Sequence, residues 1–307
     1  MQRNLKRFIA LLALPVIIIA AILFFAVSPL AGLAGLVVGG FLYYILTPQV
    51  LHLLGVHPHY TGRTFDLTGK KALIIGTNHE DLGDTGMKTG VALSELSVPY
   101  YQFLDANMEV DLSSPKGGKI PIDPQTIRWP IPTPYDKRFL KDVTAMDRLN
   151  NSLNIEDLDF KDYDIVFMAG GWGASYDLGQ SEVLGEKTTE AYANNAIVGS
   201  VCHGALGLLN VKDENGKSLL EGRNATGVTD KQIRELGISI TPLHPETELR
   251  KAGAKFNGNT AFIDFFGDIT VVDGRVVTGQ NQNSGAETAQ KMMMLVEKIA
   301  EGEPVPG

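Results

Sequence analysis

Residues 8 to 50 carry no charged side chain. Phe8 to Val27 is a run of 20 almost purely apolar residues, Ser28 and Pro29 interrupt it, and Leu30 to Leu46 adds 17 more. At about 1.5 Å rise per residue, a helix over the first run spans a hydrocarbon layer of about 30 Å, and one over the second just does. One helix cannot absorb both runs, so the pattern predicts two membrane-crossing helices joined at Ser28-Pro29. Ala31, Gly35 and Gly39 recur every four residues, which lets two helix backbones approach closely. Two other readings stay open. The first run follows Arg3, Lys6 and Arg7, as the apolar part of a signal peptide would, although it exceeds the usual length of about 7–15 residues. The second run could be a core helix of a soluble domain. If both cross, the basic residues ahead of the first place the amino terminus, and with it the rest of the chain, on the cytoplasmic side.

The remainder is strongly acidic. All 35 Asp and Glu lie after position 50 with 24 of the 27 Lys and Arg, a balance of 24 − 35 = −11. No basic patch suggests a nucleic-acid partner. The single cysteine permits no internal disulfide, in keeping with a reducing compartment. Residues 1–50 are thus expected to form a helical hairpin, 51–70 a linker and 71–307 a soluble domain. The linker holds His52, His57 and His59, but no further ligand stands at a spacing that would complete a metal site. No metal and no cofactor is expected.

From Lys71 onward apolar runs alternate with helical spacing. "KALIIGT" reads as a buried strand ending at Gly76, Val91 to Ala106 as a helix, and "MEVDLSS" as a strand. "YDIVFMAGG" is a buried strand ending at Gly170-Gly171, followed by a helix over Ser181 to Asn195. "AIVGSV" is the next strand, and His203 to Leu209 the next helix. Later come a helix near Glu246 to Ala252, a β-hairpin around Asp273-Gly274, and a closing helix from Ser284 to Ala300. This alternation predicts an α/β domain: a flavodoxin-like parallel sheet sandwiched between helices, with its site at the carboxyl ends of the strands. Trp129 to Tyr135, "WPIPTPY", is expected to form an inserted loop or small cap over that edge.

The stretch "VGSVCHGALG" places Cys202 directly after a buried strand and before a helix. That is a nucleophile elbow, in which a sharp turn lifts the side chain to the sheet edge. The amino terminus of the following helix is expected to favour the thiolate and lower its pKa. A lone cysteine is more often an inert buried thiol, so the case for Cys202 needs partners elsewhere.

Four segments supply them. "TGVALSELSVPYYQFLDANMEVDLSSPKGGKIPID", "DYDIVFMAGGWGASYDL", "SVCHGALGLL" and "VVDGRVVTGQNQNSGAETA" resemble, in order, segments of the ThiJ/PfpI superfamily, and most closely its branch of glutathione-independent glyoxalases and stress chaperones. The resemblance covers roughly Lys71 to Ala300. It implies Cys202 as the nucleophile, Glu95 as a carboxyl against the sulfur that shuttles protons, and His203 as the histidine partner. It also implies an oxyanion hole from the backbone N–H groups of Gly171 and His203. The implied chemistry is addition of the thiolate to a small 2-oxoaldehyde, proton transfer between its two carbons by the carboxylate, and release of a 2-hydroxy acid by water. Val91 and Pro99, four residues either side of Glu95, are apolar and put the carboxylate on the inward helix face, where burial would raise its pKa.

This chain departs from the family's pattern at three places. Trp172 follows the paired glycines where a histidine is usual, and Ala205 follows Cys-His-Gly where a proline is usual. Ile233 stands where the acid that orients the histidine is expected. Asp230 and Glu235 are the nearby carboxylates that could substitute. Three functions remain in competition: a membrane-anchored enzyme acting on small reactive carbonyls, a non-catalytic chaperone or thiol redox sensor, and a cysteine peptidase or amidase. Relatives of this kind are often homodimers.

Overall fold

The computed structural model describes residues 9 to 305. Arg3, Lys6 and Arg7, on which the expected orientation of the hairpin rests, lie outside the described residues. Two helices, α1 (Leu14–Ala26) and α2 (Pro29–Leu53), pack as an antiparallel pair. Ser28 caps α2 by accepting the Ala31 N–H at 3.1 Å, and Pro29 occupies a first-turn position that needs no N–H. The backbones close on each other at Gly35 and Gly39, where an added Cβ would stand 2.9 Å from Leu23 and 2.5 Å from Val16. Gly32 joins this contact, where an added Cβ would stand 2.4 Å from Phe24 Cβ.

α2 is 25 residues long and reaches Leu53, well past the Leu46 expected from composition. It passes through Pro48, a residue that normally ends a helix by withholding an N–H from the carbonyl four residues back. That carbonyl is Tyr44 O, and the Trp129 indole donates to it at 3.2 Å. The Trp129 ring also stacks on Tyr44, 5.3 Å between centroids and 9° from parallel. The side-chain donor thus replaces the missing backbone donor, and the helix continues into residues that composition assigns to a linker. Leu51 is buried in the same core cluster as the α/β domain that follows.

That domain is built on a seven-stranded sheet: β1 (Lys71–Ile75), β2 (Glu109–Ser114), β3 (Leu153–Asn154), β4 (Ile165–Met168), β5 (Ile197–Val201), β8 (Thr270–Asp273) and β9 (Val276–Gly279), in the order β3-β2-β1-β4-β5-β9-β8. All neighbours are parallel except β8 and β9, the hairpin at Asp273-Gly274. A two-residue pair, β6 (Asn224–Ala225) with β7 (Lys255–Phe256), lies apart. The central strands are apolar on both faces because both are covered. Ala72, Ile74 and Phe167 meet α3 (Leu93–Asp105) and α10 (Gly285–Ala300). Leu73, Ile75, Val166 and Met168 meet α7 (Glu182–Ala193) and α9 (Pro245–Lys251) on the opposite face.

Three helices not expected from sequence complete the chain: α4 (Pro134–Phe139), α5 (Val143–Asn150) and α8 (Asp230–Leu236). A single turn, α6 (Ala174–Asp177), follows the paired glycines. The "WPIPTPY" stretch is a loop that runs into α4. The helix expected after Cys202 is a tight 3₁₀ segment, Cys202–Leu208, and not an α-helix.

Phe167 is fully buried with its ring 6.2 Å from that of Phe103. Phe167→Ala is expected to cost about 3–5 kcal/mol. Urea unfolding of the full chain in detergent checks this through the transition midpoint.

Candidate active site

Strand β5 delivers Cys202 to the sheet edge. Its φ is +61°, in the left-handed region that residues with a Cβ avoid. The turn is held there by close packing from β4. At Gly170 an added Cβ would lie 2.3 Å from Glu95 Oε2, 2.5 Å from Val201 O and 2.9 Å from Cys202 Cβ. Only a residue without a side chain lets the carboxyl and the thiol approach across this point. Gly171 has φ +100°, and its N–H and that of His203 both reach the sulfur. His203 Nδ1 is 3.5 Å from Cys202 Sγ.

Glu95 sits in the first turn of α3 and is buried at 2% exposure. Burial pushes its pKa up to about 8, against the opposing pull of hydrogen bonds from the Cys202 thiol and the Gly170 N–H. Oε2 is enclosed without a hydrogen-bond partner. Burial also raises the Cys202 thiol well above its ordinary value, and the charge of Glu95 raises it further. The backbone N–H groups of His203 and Gly171 pull the other way but do not win. The expected lowering of the thiol pKa is therefore corrected: a short 3₁₀ turn in a dry pocket offers less than desolvation takes away. At neutral pH the pair is a thiol beside a carboxylic acid.

His203 is fully buried, and burial followed by the nearby charge of His244 lowers its pKa to about 3. Neither candidate substitute acid acts on it. Glu235 accepts the Asp264 N–H at 2.7 Å and pairs with Lys231. Asp230 accepts from Thr247 Oγ1 at 2.8 Å. Ile233 lies in the apolar core, while its neighbour Gln232 lines the cavity and accepts from Asn281 Nδ2 at 3.0 Å.

The cavity in front of the sulfur has a volume of about 80 Å³. Cys202, Glu95, His203 and Gly171 meet there, with Trp172 on its wall in place of the usual histidine. Ala205 is buried behind the elbow and does not reach it. Four wall residues come from one loop, Asp123, Gln125, Thr126 and Ile131, and two more are Phe265 and Gln282. Burial raises the Asp123 pKa, while the Gln125 N–H at 2.8 Å and Thr89 Oγ1 at 3.0 Å hydrogen-bond its carboxylate. Sequence reasoning missed these residues and His244. The one available signal was that Asp123 closes the recognised first segment and "PQT" follows directly on it. Among the described residues, no three His, Cys, Asp or Glu side chains are grouped to hold a metal ion. His57 is bound elsewhere, its N–H to Asn283 Oδ1 at 2.8 Å and its ring to Gln282 O at 3.2 Å.

Known proteins of this build can now be compared. The glutathione-independent glyoxalase hsp3101 of Schizosaccharomyces pombe is 30% identical over 251 residues, covering 75% of this chain and 97% of that protein. Glyoxalase 3 of Candida albicans is 30% identical over 74% of this chain and 98% of its own length. Two solved structures superpose well. The Rapid Encystment Protein of Francisella tularensis has a TM-score of 0.69 at 32% identity over 74% of this chain and 99% of its own. Glyoxalase III of Candida albicans has a TM-score of 0.68 at 28% identity, over 74% and 97%. The DJ-1/PfpI family pattern itself matches residues 87–295, so with this elbow, sheet order and set of relatives the chain belongs to the DJ-1/PfpI family.

Proposed function

We propose that this chain is a cysteine-dependent, glutathione-independent glyoxalase that converts a small 2-oxoaldehyde to a 2-hydroxy acid. The observation that carries the reading is the buried Cys202–Glu95 pair at the floor of a small cavity, in a chain whose relatives bear that activity in their names. Glu95 in its ionised form takes the thiol proton as the sulfur adds to the aldehyde carbon. The oxyanion that forms is received by the N–H groups of Gly171 and His203 and takes that proton from Glu95 to give a hemithioacetal. Glu95 then removes the proton from the former aldehyde carbon, and the resulting enediol is reprotonated at the neighbouring carbon. The product is a 2-hydroxy thioester on Cys202, and water cleaves it to the 2-hydroxy acid and the free thiol. Every proton removed is returned, so no outside oxidant or reductant is needed. A carboxyl with a pKa of about 8 suits both directions of transfer near neutral pH. The thiol, 6% exposed and uncharged at rest, suits a redox sensor poorly. The narrow cavity leaves little room for a peptide.

We further propose that α1 and α2 anchor the chain in a membrane with the soluble domain on the cytoplasmic side. The apolar stretches Ile9–Ala26 and Pro29–Leu53 have mean hydropathies of 3.0 and 1.9, and only 11% of each is buried in the protein, unlike a soluble core helix. Tyr43, Tyr44 and Trp129 cluster at one end of the pair, as aromatic side chains do at a membrane surface.

Cys202→Ala is expected to lower methylglyoxal turnover by about 10³-fold or more, and Glu95→Gln by about 10²–10⁴-fold. Lactate formation by the full chain in detergent measures both. Wild-type turnover in Cys202→Ala would sink the glyoxalase reading. Because Glu95 acts as a base only when ionised, kcat/KM should climb with pH and level off above about 8, and Glu95→Gln should lose that limb.

The same shift has a consequence for stability. Unfolded Glu95 ionises near 4.5, whereas the folded group holds its proton to about 8. Between those values the unfolded state binds fewer protons, so stability falls as pH rises through the window and is flat above it. Thermal unfolding should show Glu95→Gln gaining on wild type across that window. As to the membrane reading, alkaline carbonate should leave the chain in the membrane pellet, and release into the supernatant would overturn the anchoring proposal.

A further inference from the structure

Taking Cys202 as the reacting thiol, we infer that His244 is the positioning partner of His203: its imidazole takes over the role of the missing carboxylate and fixes which ring nitrogen of His203 faces the sulfur.

His203 presents Nδ1 to Cys202 Sγ at 3.5 Å, which turns Nε2 away from the thiol. Nε2 is buried with no hydrogen-bond partner. His244 Nε2 is in the same condition. His244 immediately precedes α9, and that helix start is packed onto the elbow. At Gly227 an added Cβ would touch the Cys202 carbonyl oxygen at 3.1 Å, Ala205 Cβ at 3.2 Å and Pro245 Cβ at 3.0 Å. The two imidazoles are close enough for the charge of one to act on the other.

The two buried orphan nitrogens can satisfy each other. A neutral imidazole carries one N–H and one lone pair. If His203 holds its proton on Nε2, that N–H can be accepted by His244 Nε2 through one bridging water, with the His244 proton on Nδ1. His203 Nδ1 is then a bare lone pair aimed at the sulfur: with Glu95 protonated and its own O–H free to face the sulfur, the thiol's single proton can be donated to Nδ1. A carboxylate at this place would do the same and would also stabilise an imidazolium. A neutral imidazole orients without that charge, in keeping with a His203 that stays neutral. The other titratable groups here are held mainly by their own partners. Glu246 on α9 accepts the Asp230 N–H and pairs with Arg250, and Asp230 at the start of α8 accepts from Thr247, leaving its Oδ1 buried and unpartnered. Cys202 faces His203 from the elbow itself.

Nitrogen-15 NMR of histidine-labelled full chain in detergent tests the tautomer without any substitution. His203 should be the Nε2–H form, and an Nδ1–H form would overturn the proposal. His244→Leu should scramble that tautomer and lower kcat on methylglyoxal at least about tenfold with KM little changed. His244→Gln, whose amide oxygen can accept the same hydrogen bond, should restore most of the loss. His244→Glu should restore orientation and add an ionisation of His203 to the acid side of the pH–rate profile. An unchanged tautomer and kcat in folded His244→Leu would overturn the inference. The tautomer reading stands apart from turnover, so loss of the glyoxalase reading through Cys202→Ala would leave it intact.

Discussion

The site depends on dryness. Glu95 and Cys202 would both be ionised more readily in water, and each is held neutral because the fold removes water from around it. The rest of the arrangement follows from that constraint. A carboxyl can be brought against a thiol only where the intervening residue has no side chain, so Gly170 lies between them. A nucleophile can be buried yet aimed at a cavity only if the strand ends in a turn, so Cys202 adopts a φ that the sheet and α3 must enforce. Such a conformation costs about 1–3 kcal/mol, and it is held by the packing of β4, β5 and the 3₁₀ segment that follows. The two backbone N–H groups aimed at the sulfur lower its pKa without overcoming burial. The thiol becomes reactive when a base takes its proton, not because it rests as a thiolate.

Much of this was legible in the sequence where one residue pattern has one structural meaning. A parallel strand covered on both faces must be apolar throughout, and "KALII", "IVFM" and "IVGSV" all read correctly for that reason. The carboxylate of Glu95 was placed inward by its apolar neighbours one helical turn away, and it is buried. What stayed illegible depends on contacts distant in sequence. The length of α2 could not be read because Pro48 ordinarily stops a helix, and only the Trp129 indole, 81 residues on, supplies what Pro48 withholds. The thiol pKa was misjudged because the elbow was read as the start of an α-helix, whereas the chain tightens to a 3₁₀ turn. The cavity wall from Asp123 to Ile131 carries no periodic signal, and no local pattern announces that α9 packs on the elbow.

Departures from a family pattern take their meaning from neighbours as well. Ile233 alone reads as a lost acid. In the folded chain it fills the core, and Gln232 reaches the cavity instead. Trp172 puts an indole on the cavity wall where a histidine would bring a further titratable group. Together these changes make the surroundings of Cys202 less charged, which strengthens the same desolvation that sets the Glu95 pKa.

The indole of Trp129 completes the backbone of α2, and the loop that carries it also supplies Ile131 to the cavity wall. Ile9 and Leu51, from the hairpin, belong to the same buried cluster as Leu96 and Phe167. The apolar segment is therefore not a detachable tether. Cutting it away to obtain a convenient soluble fragment strips a stacking partner from the loop and side chains from the core. A fragment prepared in that way would be a different molecule at its reaction chamber, and its inactivity would say nothing about the intact chain.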